Sequence, residues 1–249
     1  MQDLTYQTLS EIEKTHWWFL VRANLFAKYL KFGSKNSTIL DVGSGSGNNL
    51  RMLKNLGFKK YQGFDFSQLA KNICEEKKLG EVLIGDICCP DLPSNFYDFV
   101  LATDLLEHIE EDSLALEQIA RILKPGGKLI ITVPCFKILW GFNDEASHHK
   151  RRYLLPEIKS KVELSKMKVL EFYYFNFFLF LPILIFRKVT KFFDIRVKNE
   201  NLVNSKFLNK FLRILFSIDV FLAQKIKFPF GVSAFILATK EHLSQDNSF

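Results

Sequence analysis

The sequence predicts a doubly wound α/β domain on a mainly parallel sheet, and three observations carry that prediction. Short apolar runs alternate with amphipathic stretches from residue 37 onward, several of the runs end at an aspartate, and the first leads directly into a glycine-rich loop. The chain has 249 residues, 48% hydrophobic and 24% charged, which suits one core carrying an elaboration and excludes a disordered chain or a disulfide miniprotein.

The elements follow in order. Residues 4–32 read as helical and contain Thr15-His16-Trp17-Trp18-Phe19-Leu20-Val21-Arg22, in which the three-residue spacing of His16, Phe19 and Arg22 allows one shared face. Strands are expected at 38–40, 61–64, 82–84, 96–102 and 128–133, with helices near 47–56, 67–78 and 112–122. Lys124-Pro125-Gly126-Gly127 reads as a turn that ends a helix and starts a strand. Residues 168–175 and 232–239 read as a sixth and a seventh strand. More than fifty residues rich in Phe, Leu, Ile, Lys and Arg separate them, as an insertion.

Charge is unevenly placed. The net charge is +7, yet residues 148–249 hold 18 Lys and Arg against 8 Asp and Glu, so the second half suits an anionic partner. Phe172 to Phe186 is the most apolar run. As a helix it measures about 22 Å, too short for a bilayer, and it contains Asn176 and Pro182; with Arg187, Lys188 and Lys191 it suits a membrane surface. No secretory signal is read at the start, and a cytoplasmic location is expected, with peripheral contact at the inner face of the membrane through 176–230. Cys74, Cys88, Cys89 and Cys135 form no Cys-x-x-Cys pair, so neither disulfides nor a metal is expected.

Ile39-Leu40-Asp41-Val42-Gly43-Ser44-Gly45-Ser46-Gly47 is the sharpest local signal. Alternate glycines let the backbone turn tightly and let a ligand approach, and the helix that follows offers free N–H groups. The spacing is Gly-x-Gly-x-Gly, which differs from the dinucleotide fingerprint. The second strand ends at Asp65, where a carboxylate can accept both ribose hydroxyls, and the third ends in Gly85-Asp86-Ile87, where Asp86 can accept from an exocyclic amine. Two such acids without a pyrophosphate site describe an adenosine without phosphates. Each acid alone could equally cap the next helix.

Together with Leu106-Glu107-His108 and Leu123-Lys124-Pro125-Gly126-Gly127, these motifs resemble the class I S-adenosylmethionine-dependent methyltransferases over residues 37–135. The resemblance implies a Rossmann-like seven-stranded sheet with an antiparallel last strand, and S-adenosyl-L-methionine as cofactor. It places Gly43, Ser44, Gly45 and Gly47 at the methionine part, Asp65 at the ribose, Phe66 on the adenine, and Asp86 with Ile87 at the adenine edge. Asp41 either orients the loop or meets the ammonium, and Thr103, at the end of the fourth strand, joins the cofactor set. The chain then divides into a helical cap (1–35), a cofactor core (36–135), an acceptor-side loop and sixth strand (136–175), the insertion (176–230) and the last strand with its tail (231–249).

Three further stretches resemble a narrower bacterial group associated with surface glycan or glycolipid assembly. They are His16-x-Trp18-Phe19-x-x-Arg22, the run from Asp144 to Tyr153, and Pro229-Phe230-Gly231-Val232-Ser233. An additional histidine at 148 leaves open whether His148 or His149 points inward. Arg22 could pair with the methionine carboxylate, while His16, Trp18, Arg151, Arg152 and Tyr153 are candidates on the acceptor side. His108 and His149 are the candidate bases for a hydroxyl acceptor. The expected partner is a small or lipid-linked glycan. Nucleic acid is the alternative, but the fourth strand is followed by Ala102-Thr103-Asp104-Leu105, unlike the segment that methylates base amines. A non-catalytic cofactor-binding subunit is a further alternative.

Overall fold

The computed structural model describes residues 11–193 and 205–241. One seven-stranded sheet has the order β3-β2-β1-β4-β5-β7-β6. The strands are β1 (Thr38–Val42), β2 (Lys60–Asp65), β3 (Val82–Ile84), β4 (Tyr97–Thr103), β5 (Leu123–Pro134), β6 (Met167–Phe175) and β7 (Ser233–Lys240). Strands β1 to β5 run parallel, and β7 lies antiparallel between β5 and β6. This is the predicted class, with the direction reversing at the strands expected to close the sheet.

The helices are α1 (Trp17–Leu30), α2 (Asn48–Asn55), α3 (Gln68–Glu76), α4 (Asp112–Ile122), α5 (Phe142–Ala146), α6 (Leu155–Leu164), α7 (Phe180–Phe192) and α8 (Lys206–Ile226). Local chemistry starts several of them. The His16 ring accepts the Trp18 N–H at the head of α1, and the Ser67 hydroxyl accepts the Ala70 N–H at the head of α3. Gly47, at φ 86°, turns the chain into α2 through a conformation that disfavours any side chain.

The segment 124–127 departs from expectation only in what precedes it. Leu123 already pairs with Tyr97 at the start of β5, Gly126 keeps the positive φ of a turn, and the paired register resumes at Lys128 opposite Phe99. The Pro-Gly-Gly run is thus absorbed as an irregularity inside the ladder, where proline and glycine are tolerated.

The two faces of the sheet bury separate cores. Leu116, Ile119, Ile158 and Val162 of α4 and α6 pack with Leu129 and Ile131 on one face. Leu25, Phe26 and Leu30 of α1, Leu50 and Leu53 of α2, and Phe216 and Val220 of α8 pack with Ile39, Leu101 and Ile130 on the other. The second helix of the insertion therefore covers the same face as the N-terminal cap. Asp219, buried within α8, accepts the backbone N–H groups of Asn176 (2.6 Å) and Phe178 (2.9 Å), fastening the helix to the end of β6. Burial holds its carboxyl above the usual range, against those bonds. The Gly231 backbone passes so close to Phe175 that an added Cβ would lie 2.4 Å from its carbonyl oxygen, which explains the glycine in the Pro-x-Gly-x-Ser element as packing.

Candidate active site

The C-terminal ends of β1, β2 and β4 meet at the glycine loop. Gly43, Gly45 and Gly47 all have positive φ, and a Cβ at Gly43 would lie 2.8 Å from the Leu105 side chain, so the loop lies against the segment after β4. Ser44 turns toward Gly63 of β2, where a side chain would strike it, and its buried hydroxyl has no partner.

Three acids surround this loop, and a fourth lies in the segment after β4. Asp41 is fully buried; one oxygen accepts from Asn49 at 2.8 Å and the other has no partner. Burial, reinforced by Asp65 and Glu13, pushes its carboxyl up to about 7, with the Asn49 bond acting the other way. Asn49 also donates to Thr103 at 2.9 Å, tying β4 to the loop. Asp65 accepts the N–H of Gly45 and that of Ser67, each at 2.9 Å. A carboxylate has about four acceptor positions, so the ribose role expected of Asp65 stays open to it. Glu13, from the chain before α1, accepts from the Ser46 hydroxyl and is buried, which raises its carboxyl. The fourth, Glu107, is buried with both oxygens unpartnered, and burial followed by repulsion from Asp104 raises it well above the ordinary range. Orphaned buried oxygens gathered at a glycine loop fit a cationic ligand.

Phe66 is 77% exposed immediately after Asp65, so its ring is free to stack on a base. Asp86 is exposed and accepts the Cys88 N–H at 2.8 Å. The Ile87 side chain is buried in the core, so the adenine edge expected of Ile87 falls to its backbone.

The N-terminal cap also departs from expectation. Arg22 is buried and bound to Asp104 at 2.6 Å and to the Thr132 hydroxyl at 2.8 Å, with its guanidinium 5.1 Å from the centre of the Trp18 ring. Its charge is spent on the protein, so the expected pairing with a cofactor carboxylate gives way to a lock between cap and sheet. Trp18 stacks on Phe216 of α8 at 4.9 Å, and His16 is buried as the helix cap, which lowers its ring to about 4. A buried aromatic helix finds its best packing against the equally aromatic α8.

The run from Asp144 to Tyr153 forms a knot around one carboxylate. Asp144, fully buried, binds His149 Nδ1 at 2.8 Å, Arg152 through two nitrogens at 2.8 and 3.1 Å, and the Gly141 N–H at 2.9 Å, while Arg187 of α7 approaches at 3.4 Å. Burial alone would raise this carboxyl; His149 and Arg152 hold it far below the usual range. Arg152 also donates to the Cys135 carbonyl, Arg151 binds Asp112 and the Glu110 carbonyl, and the buried Tyr153 hydroxyl donates to Asp112 at 2.7 Å. The expectation that Arg151, Arg152 and Tyr153 bind substrate is corrected, since each is engaged within the chain. His149 turns inward and meets His108 edge to face, with ring centres 4.6 Å apart. Burial and then His149 lower the His108 ring to about 4, so it is neutral at physiological pH.

Sequence reading missed Glu13, Asp104 and Asp219. Glu107 it quoted only within a motif. Glu13, Asp104 and Asp219 each act through a partner remote in the chain, so only the acidic residue itself could have drawn notice.

Residues 40–131 match the family described as methyltransferase domain. That match covers less than half of the chain and supports an S-adenosylmethionine-dependent methyltransferase domain there. The methyltransferase domain is similar to a tRNA (carboxymethyluridine(34)-5-O)-methyltransferase of Mus musculus, 29% identical over 51% of this chain and 18% of that protein. It is also similar to a phosphoethanolamine N-methyltransferase of Plasmodium falciparum, 25% identical over 53% of this chain. The matched part spans only 52% of that second relative's own length. In fold, it resembles the crystal structure of an S-adenosylmethionine-dependent methyltransferase from Thermotoga maritima, with a TM-score of 0.59, 17% identity and 95% of each chain covered. The loop, the unpartnered Asp41 and Ser44 oxygens, Asp65 and the exposed Phe66 fit S-adenosylmethionine, the cofactor of the Thermotoga maritima methyltransferase.

Proposed function

We propose that the protein transfers a methyl group from S-adenosylmethionine to a hydroxyl of a small or lipid-linked acceptor, a glycan or glycolipid, at a membrane surface. One observation carries the reading. The segment after β4 that packs on the glycine loop through Leu105 also carries His108, whose ring meets His149, so imidazoles suited to a hydroxyl follow directly on the loop whose buried Asp41 suits a cation. When bound, the cofactor supplies an electrophilic methyl on sulfur, and displacement by oxygen releases a neutral thioether and the hydroxyl proton. Gly43 to Gly47 with Asp65 position the donor, and the unpaired Asp41 oxygen receives its ammonium. The two rings orient the acceptor, its proton passes to solvent, and most of the rate comes from alignment. Cys135 is no nucleophile, because burial pushes its thiol far up.

The insertion supports a lipid-linked acceptor. Phe207, Phe211, Ile214, Ile218 and Phe221 recur at helical spacing as an exposed stripe on α8, and Leu181, Ile185 and Phe192 are exposed on α7. Exposed Lys188, Lys191, Lys206, Lys210 and Arg213 accompany them. No described helix is long and apolar enough to cross a membrane. Large apolar side chains beside lysines suit the headgroup boundary of an anionic bilayer better than a phosphodiester backbone. Arg187 carries this surface to the site, since it reaches both the Leu139 carbonyl and Asp144.

Mass analysis of surface glycans and lipids from a deletion strain tests the acceptor, and loss of one methyl mass from a glycolipid is expected. Calorimetry with S-adenosylhomocysteine tests the donor. Unchanged glycolipids together with an undermethylated RNA would refute the acceptor class and favour the nucleic-acid alternative.

A further inference from the structure

Glu107, His108 and His149 each offer one ligand-capable atom, and these three atoms lie within 4.8 Å of one another. Glu107 is 1% exposed and neither of its oxygens has a partner. Its nearest cations are committed elsewhere, Arg22 to Asp104 and Arg152 to Asp144. A buried carboxyl in that position is either held protonated or completed by a positive counterpart.

The two rings are prepared in a matching way. His149 gives Nδ1 to Asp144, leaving Nε2 for the interior, and Asp144 is itself clamped by Arg152 and the Gly141 N–H. The His108 ring hydrogen-bonds the Ser147 backbone, which leaves its second nitrogen as an acceptor. An imidazole whose outer nitrogen is held by a carboxylate or carbonyl is the arrangement that orients a metal ligand and raises its basicity. Two imidazoles and one carboxylate select a first-row transition ion over magnesium or calcium.

We propose that Glu107, His108 and His149 bind one divalent first-row transition ion, with its remaining positions open to an acceptor oxygen. Ligand atoms around such an ion, at about 2.1 Å from it, stand about 3–4 Å apart, so a contraction of about an ångström closes the set. The site replaces the sequence expectation of no metal and gives the two histidines the role of ligands, with the acceptor's proton released to solvent. The acceptor oxygen rests on the methyl-transfer reading above; ion binding itself does not.

Untagged full-length protein, stripped with a chelator, is titrated with Co²⁺ and followed by visible absorption, in parallel with S-adenosylhomocysteine calorimetry. One Co²⁺ per chain is expected, with a ligand-field spectrum displaced by Zn²⁺. Glu107→Gln and His149→Ala should each weaken Co²⁺ at least tenfold while circular dichroism and S-adenosylhomocysteine affinity hold. Absence of a stoichiometric spectrum in the wild-type chain, or equal Co²⁺ affinity in both variants, overturns the site. Failure to bind S-adenosylhomocysteine with Co²⁺ bound would sink the donor reading and leave the ion site standing.

Discussion

Replacing Arg22 by Met, Asp104 by Asn, and both together measures how the N-terminal cap is held to the sheet. The pair is 2.6 Å long, with side-chain exposures of 7% and 34%, and Arg22 also donates to Thr132. Removing one member of a fully buried pair costs about 3–5 kcal/mol. Water reaches Asp104, so its loss is discounted to about 2 kcal/mol. Arg22→Met also forfeits the bond to Thr132 and should cost about 3 kcal/mol. The double variant should fall short of the sum by about 1–2 kcal/mol, because the second substitution removes a charge already orphaned. Urea unfolding gives these differences, and calorimetry with S-adenosylhomocysteine adds a functional arm in which both single variants weaken binding alike by loosening the cap. Strict additivity would refute the lock. A large affinity loss in Arg22→Met with none in Asp104→Asn would show the guanidinium on the ligand after all.

Other expectations test the site and its supports. Asp41 has a folded pKa of about 7 against an ordinary 3.8, so its contribution to stability is full below 3.8 and is lost as pH rises through 7, by up to about 4 kcal/mol; Asp41→Asn should flatten that decline in urea titrations. Over the same window the wild-type affinity for S-adenosylhomocysteine should rise with pH, because an ammonium binds the ionised form, while Asp41→Asn binds weakly and without that slope. Asp219→Asn leaves two backbone N–H groups without their charged acceptor and should cost about 2–3 kcal/mol, read as a thermal midpoint about 4–10 °C lower. His108→Ala should slow methyl transfer about 100-fold or more while leaving S-adenosylhomocysteine affinity within about twofold. Phe211→Asp with Ile218→Asp should abolish flotation with anionic liposomes if α8 is the membrane face, and unchanged flotation would exclude it.

Local pattern made much of this molecule legible. Alternating apolar runs are a property of neighbouring residues, and they located all seven strands; α4 begins and ends where its residues predict. The glycine loop was readable for the same reason, since positive φ at Gly43, Gly45 and Gly47 is dictated by the residues themselves. The fate of the charges was not. Arg22 and Asp104 are 82 positions apart, and Arg187 and Asp144 are 43 apart, so only the packed chain selects those pairs. Beside Pro125-Gly126-Gly127 the same limit shows in Leu123, whose pairing with Tyr97 ahead of the turn comes from β4 and from nothing local.

By itself the sequence determined the α/β order, the loop that receives the donor and the acids at the ends of β1, β2 and β3, because these follow from periodicity and backbone freedom within a few residues. Only the tertiary structure decided which charged groups remain available. Burial forces Arg22, Arg151 and Arg152 onto carboxylates or carbonyls of their own chain, while it leaves Asp41 and Glu107 short of partners. An unpaired charge is costly wherever water is excluded, and that balance is settled only when remote segments come together.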